Sequence, residues 1–210
     1  MIFKICGLKE KDSILCCEAN QVEFFGLIFY KKSPRNISYK DAKELINFSE
    51  ALRIMPVGVF VNQGISELKD IITYLNLHYI QLHGDENQEY IDEIKKKSGI
   101  KIIKKFSIKN QKDLVNVNQI NNIDFLLFDY KPNLGELPGG NSKSFDWNLL
   151  KNTQIKLPWF ISGGINESNI KNIKKTLNPN GIDLSSGVEE SLGKKSNKKI
   201  NNLLRLFYDN

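Results

Sequence analysis

No apolar run in this 210-residue chain approaches the ~20 residues a membrane-spanning helix needs. Its start has no signal-peptide character: it carries one Lys within a strand-like run, without an h-region or a small-residue cleavage site. Cysteine is scarce and odd in number. Cys6, Cys16 and Cys17 lack metal-ligand spacing and make no disulfide framework, so the expectation is reduced thiols and a cytoplasmic protein. The net charge of +6, from 30 Lys+Arg against 24 Asp+Glu, invites a nucleic-acid partner. The lysines are scattered in short groups (Lys95-Lys96-Lys97, Lys104-Lys105, Lys174-Lys175, Lys194-Lys195, Lys198-Lys199), and no aromatic-rich basic motif accompanies them. They read as solvated faces of Lys/Asn-rich helices, and neither nucleic acid nor membrane is expected as a partner. The positive field favours approach of a small anionic substrate. With 40% hydrophobic and 26% charged residues the chain is not disordered, and its length suits one substantial core, expected as a single domain over 1–210.

What the chain has is alternation. Strand-like runs lie at 2–6, 24–29, 54–61, 79–82, 102–106, 125–129, 158–161 and 181–184, and helical spacing fills 12–19, 39–52, 65–76, 87–97, 111–120, 146–152, 167–176 and 197–207. Ile65, Leu68, Ile71, Ile72 and Leu75 form a stripe suited to packing on a sheet. Ser66-Glu67 and Asp146-Trp147 read as helix starts. Val57-Gly58-Val59-Phe60-Val61 and Phe125-Leu126-Leu127-Phe128 are apolar on both faces, as parallel strands covered by helices are. Eight β-then-α units predict an α/β fold, a closed (β/α)8 TIM barrel, whose lower size limit is about 200 residues. An open doubly wound sheet is the alternative, and the G-x-G-x-x-G turn usual after its first strand is missing.

In such folds the C-terminal ends of strands converge on the ligand. Cys6 ends the first run, Asp129 the sixth, and Ser162-Gly163-Gly164 and Ser185-Ser186-Gly187 follow the seventh and eighth. Period-2 geometry pairs Lys4 with Cys6, Gln81 with His83, Leu127 with Asp129, and Asp183 with Ser185 on inward faces. Lys4 sits one inward step below Cys6. An ammonium there needs a carboxylate, and its field lowers the thiol's pKa from ~8.5. Each candidate has a bland reading beside the chemical one. Cys6 is a small buried hydrophobe or a reactive thiol, and Asp129 is a loop cap or an acid. His83 is a core histidine satisfied by backbone or a supporting contact near substrate. Arg35, after Ser33-Pro34, is a surface arginine or a fork for a carboxylate. Cys16 and Cys17 fall within a helix and read as packing or surface residues. The two Gly-rich loops stand where barrel enzymes seat phosphate on backbone N–H groups, and glycine lets the backbone approach.

Taken in order, the segments resemble the phosphoribosylanthranilate isomerase family. They are Lys4-Ile5-Cys6-Gly7; Gly26-Leu27-Ile28-Phe29 with Ser33-Pro34-Arg35; Val57 to Asn62; Gln81-Leu82-His83-Gly84; Leu127-Phe128-Asp129; Phe145-Asp146-Trp147; Ser162-Gly163-Gly164; and Asp183 to Glu189. The resemblance implies an Amadori rearrangement of N-(5-phosphoribosyl)anthranilate to 1-(2-carboxyphenylamino)-1-deoxyribulose 5-phosphate, a step of tryptophan biosynthesis, by a monomer or homodimer. It carries the general base onto Cys6 and the general acid onto Asp129. Substrate contacts fall to Arg35, His83, Gly163, Gly164, Asp183, Ser185, Ser186 and Gly187. No metal or organic cofactor is implied. A bell-shaped pH profile is expected, its acidic limb from the Cys6 thiolate and its alkaline limb from Asp129.

The chain departs from the family in two loops. Gly139-Gly140-Asn141-Ser142 stands where the family usually has Gly-Gly-Thr-Gly, and Ser142 takes φ > 0 less cheaply than glycine. Lys194-Lys195 follows Gly193 where a Lys-Asp pair is usual, which shifts charge near the phosphate end. Two other readings stay open. One is a related barrel isomerase of a histidine-pathway aminoaldose, which uses an aspartate as first-strand base and binds two phosphates. The other is a non-catalytic barrel that only binds a phosphate ligand.

Overall fold

The computed structural model describes residues 1–96 and 99–209. Eight parallel strands follow one another around a closed barrel: β1 (Ile2–Cys6), β2 (Phe24–Phe29), β3 (Met55–Phe60), β4 (Tyr79–Leu82), β5 (Lys101–Ile108), β6 (Phe125–Tyr130), β7 (Trp159–Ile161) and β8 (Gly181–Leu184). Closure comes from β1, which pairs with β2 on one side and β8 on the other. Around it lie α1 (Lys11–Ala19), α2 (Tyr39–Ser49), α3 (Ile65–Leu75), α4 (Gln88–Lys95), α5 (Asn148–Lys151), α6 (Ile170–Thr176) and α7 (Asn197–Tyr208). Among the described residues no helix is long and apolar enough to cross a membrane.

The expected elements stand, with differences at their ends and one failure. The helix expected over 87–97 is α4, and Lys97 lies outside the described residues. α3 begins at Ile65 after Gly64, without the side-chain cap that Ser66-Glu67 suggested. Asp146 does serve the start of α5, accepting from the Asn148 N–H at 3.0 Å. The helix expected over 111–120 is only a 3₁₀ turn, Gln111–Leu114, continued by irregular turns. Asn110 and Asp113 cap it reciprocally, and the next residues are Val115, Asn116, Val117 and Asn118. Asn offers its backbone competing hydrogen bonds and Val loses rotamer freedom in a helix, so the stripe of Leu114 and Val117 packs without one. After β8 come a 3₁₀ turn, Ser186–Val188, and a small antiparallel pair, β9 (Glu189–Ser191) with β10 (Lys194–Lys195), which periodicity did not announce.

The barrel interior is layered. Its lower part holds Phe24, Val57, Ile103, Leu127 and Phe160, one from each of five strands, with the Phe160 ring edge-on to Phe24 at 6.3 Å and tilted against Phe125 at 5.3 Å. Two residues further along the same inward phase, Ile103 and Leu127 give way to Lys105 and Asp129, and Gln81, His83 and Asp183 join them from β4 and β8, all buried. The larger core lies outside the sheet, where strand residues such as Phe3, Ile5 and Phe128 meet Ile14, Leu68, Ile91, Ile173 and Phe207 of the helices.

Candidate active site

Cys6 ends β1 with its side chain inward, opposite Gly26 in the register with β2. A Cβ at Gly26 would lie 2.7 Å from the Cys6 sulfur, so that glycine makes the room the thiol occupies. Below it, Lys4 meets Asp183 across the β1–β8 register at 2.9 Å, both fully enclosed. This is the carboxylate that the buried lysine requires. Burial alone would lower the Lys4 pKa, but Asp183 and then Cys6 outweigh it and hold the ammonium charged. The expected lowering of the thiol pKa is overturned. Burial pushes Cys6 up, and the pull of Lys4 and Lys195 does not compensate.

Asp129 stands across the mouth at the end of β6. One oxygen accepts the Tyr130 N–H at 2.8 Å, and the other lies 3.5 Å from His83 Nε2. Burial raises its pKa to about 6 against the opposing pull of Lys105 and the Tyr130 amide. His83 is held well below its ordinary pKa by burial and by Lys105, Lys4 and Lys104, so the imidazole is neutral. Its Nδ1 is 2.7 Å from Gln81 Nε2.

The segment after β6 folds over these groups. Lys105 Nζ donates to the Pro138 carbonyl at 3.4 Å, and Arg35 Nη2 donates to the Gly140 carbonyl at 3.5 Å. Ser142 adopts φ +57°, the left-handed conformation in which glycine is unstrained. Cys6, Gln81, His83, Asp129, Asp183 and Arg35 line one cavity beneath this cover, about 810 Å³ counted out to its open mouth.

Arg35 is buried, not a surface arginine. Its Nε and Nη2 form a two-pronged pair with Glu189 at 2.6 and 2.8 Å. Glu189 also takes Lys195 at 2.7 Å, and Lys195 donates to the Ser185 carbonyl at 3.1 Å. Burial works against the Glu189 carboxylate, but Arg35 and Lys195 outweigh it and hold its pKa below the usual range. Lys195 is therefore an interior cation beneath the last loop, not a solvent-facing departure. Two cations share one carboxylate here, which leaves positive charge beside the cavity.

The two glycine loops bracket the same rim. Gly163 and Gly164 take φ +90° and +62°, and Ser185 and Ser186 line the cavity with them. Asn166 and Asn169 both donate to the Gly164 carbonyl, which fixes that loop's orientation. Among the described residues the amides of Gly163, Gly164, Ser186 and Gly187 donate to no protein acceptor. Gly187 is set back from the cavity lining, against the Ile165 carbonyl.

Sequence reasoning thus located Cys6, Asp129, Arg35, His83, Gly163, Gly164, Asp183, Ser185 and Ser186 on one cavity. It missed Glu189 as an anchor and Lys105 and Lys195 as interior cations. Lys105 had a readable signal: it follows Ile103 by two residues and so shares its inward phase.

The family model of N-(5'-phosphoribosyl)anthranilate (PRA) isomerase matches residues 3–205. The chain belongs to this family. It is 35% identical over 199 residues to an N-(5'-phosphoribosyl)anthranilate isomerase of Paramagnetospirillum magneticum, covering 94% of this chain and 92% of that one. The crystal structure of phosphoribosyl anthranilate isomerase from Thermotoga maritima superposes with a TM-score of 0.88 at 30% identity, over 99% of this chain and 98% of the other. A phosphoribosyl anthranilate isomerase in complex with reduced 1-(o-carboxyphenylamino)-1-deoxyribulose 5-phosphate aligns with a TM-score of 0.83 at 28% identity, over 99% and 98% of the two chains.

Proposed function

We propose that this protein, as a single catalytic domain in the cytoplasm and as a monomer or homodimer, isomerises N-(5-phosphoribosyl)anthranilate to 1-(2-carboxyphenylamino)-1-deoxyribulose 5-phosphate in tryptophan biosynthesis. The observation that carries the reading is the meeting of a thiol and a carboxyl on one buried cavity whose rim offers three unused backbone amides, with that of Gly187 set just behind them. Those amides, at Gly163, Gly164, Ser186 and Gly187, suit a phosphate, as does the positive balance of Arg35 and Lys195 over Glu189. The free guanidinium edge of Arg35, facing Gly140, takes the anthranilate carboxylate.

Asp129, protonated, donates to the ribose ring oxygen. The C1–O bond breaks as the anilino nitrogen's lone pair forms the C1=N⁺ bond. Cys6 thiolate then removes the C2 proton, and the resulting enolamine tautomerises to the ketone. The acid needs its proton while the base must have lost its own, yet burial raises the Asp129 pKa only to about 6 and pushes Cys6 above its ordinary value. The working state is therefore a minority one, with the pair's protons exchanged relative to the resting state. Below about pH 6 the thiolate fraction falls tenfold per unit with nothing to offset it. Above that point the loss of protonated Asp129 and the gain of thiolate cancel, so activity holds on a plateau until the thiol titrates. The two limbs thus exchange owners relative to the expectation from sequence, and both belong to the coupled pair.

The test is to generate phosphoribosylanthranilate in situ and follow loss of its fluorescence. Loss at the uncatalysed rate in the presence of folded protein sinks the proposal.

A further inference from the structure

Gln81, in β4, is fully buried and only half of its amide is used. Its Nε2 is 2.7 Å from His83 Nδ1, and the far side of the ring decides which of them donates. His83 Nε2 lies 3.5 Å from Asp129 Oδ2, beneath the covering segment and 2.5 Å from where a Cβ of Gly139 would stand. An ionised carboxylate only accepts, so above about pH 6 Nε2 carries the hydrogen. The ring is neutral because burial and the surrounding Lys105, Lys4 and Lys104 disfavour its charge, so Nδ1 is a bare acceptor. Gln81 must then present its NH₂ group to the ring, which turns Oε1 the other way. Oε1 is buried with no hydrogen-bond partner. Of the buried atoms in that condition among the described residues, the others belong to Trp147 and Asn197, neither of which lines the cavity; Gln81 does.

An orphaned buried acceptor is costly, and such atoms are rare in folded proteins. One on a side chain that lines a binding cavity has an evident use. The proposed substrate ends in a phosphate and a carboxylate, which supply acceptors only. Its hydrogen-bond donors lie between them, on the sugar hydroxyls and the anilino nitrogen. We infer that Gln81 is a substrate-positioning residue: its Nε2 fixes the His83 tautomer, and its Oε1 accepts a hydrogen bond from the sugar–amine middle of the substrate. The inference rests on the isomerase reading and assigns the contact to the middle of the substrate that reading lacks.

Equilibrium binding of the reduced product tests it without turnover, so Cys6 and Asp129 can fail as catalysts without affecting the outcome. Gln81→Leu and Gln81→Met should weaken binding about tenfold, the worth of one neutral hydrogen bond, while leaving thermal stability equal or higher. Two further ligands locate the donor: the reduced product with its 3-hydroxyl replaced by hydrogen, and the analogue with an ether oxygen in place of the anilino N–H. One of them should bind wild type and variant alike. In ligand-free wild type, ¹⁵N NMR should find His83 protonated at Nε2 and bare at Nδ1. Equal binding of the full ligand by wild type and both variants overturns the inference. So does a protonated Nδ1, or a loss that both analogues share undiminished, since the variant would then act on cavity shape. Wild type that binds no reduced product at all overturns the isomerase reading, and this inference with it.

Discussion

The lower and upper halves of the barrel interior share the strands' inward phase, with β5 and β6 contributing to both, yet they do opposite things. The lower half is Phe24, Val57, Ile103, Leu127 and Phe160, buried side chains with no polar atoms. The upper half is a thiol, a neutral imidazole, an amide, two carboxylates and two lysines, all buried. Leu127 and Asp129 show the contrast within one strand: one step along the inward phase changes an apolar contact into a group whose ionisation burial opposes. The apolar layer stabilises the barrel by area removed from water. The polar layer is tolerable only because its charges are matched, Lys4 by Asp183 and Lys195 by Glu189. Lys105 breaks that pattern. Among the described residues it forms no ion pair, and it donates instead to the Pro138 carbonyl of the covering loop. Stability belongs to the floor and chemistry to the mouth.

Substitutions on the two halves should therefore separate activity from stability. The largest effect is expected at Cys6→Ala, which should cut kcat by at least ~10⁴ with folding and product binding largely kept. Cys6→Ser should not rescue it, because the hydroxyl's pKa is far higher; near-normal turnover in the alanine variant removes the base from the mechanism. Asp129→Asn keeps the hydrogen bond to Tyr130 but has no carboxyl proton, and should lower kcat by ~10²–10⁴ with little change in KM.

The stability of that same variant sharpens the contrast. Asp129 has its folded pKa raised from 3.8 to about 6, so its favourable contribution is complete below about pH 4 and is lost as pH rises through about 6. The loss amounts to roughly 3 kcal/mol by linkage. Urea denaturation at pH 4 and pH 7 should show wild type losing stability relative to Asp129→Asn over that interval; parallel behaviour of the two proteins would make Asp129 a structural cap. On the floor the outcome reverses. Phe160→Ala should cost ~3–5 kcal/mol in denaturation while the kcat of the folded fraction changes little.

Smaller effects belong to the rim. Inorganic phosphate should compete with substrate, and Gly164→Val should chiefly raise KM. A Cβ at Gly164 would meet the Lys143 carbonyl carbon at 2.7 Å and the Ser144 nitrogen at 2.8 Å, and its φ is +62°. The variant therefore displaces the covering segment as well as the loop amides, and a fall in kcat larger than the rise in KM would shift the loop's role from binding to chemistry. The smallest change is Ser142→Gly, which relieves φ +57°. The relief of ~1–2 kcal/mol, less glycine's added chain entropy, should leave a gain of about 0.5–1 kcal/mol.

Much of this was legible in one dimension. The alternation of apolar runs with helical stripes specified eight strands in order, and period-2 phase named Lys4 with Cys6 and Leu127 with Asp129 before any contact was known. These are local properties, because side-chain direction follows from the backbone of a single strand. The segment after β5 escaped because its Leu114–Val117 stripe has helical spacing, while its Asn and Val residues favour other backbone states. Partners were decided only by closure of the barrel. Lys4 and Asp183 are 179 residues apart and Arg35 and Glu189 are 154 apart, so their pairing depends on β8 returning to β1. The thiol's acidity was misjudged for the same reason: Lys4 was visible in the strand, but the burial that outweighs it is the work of the other seven strands. The sequence by itself determined which groups point inward, because direction is local; the tertiary structure alone decided which are paired, which are orphaned and which hold a proton, because burial and charge act through space.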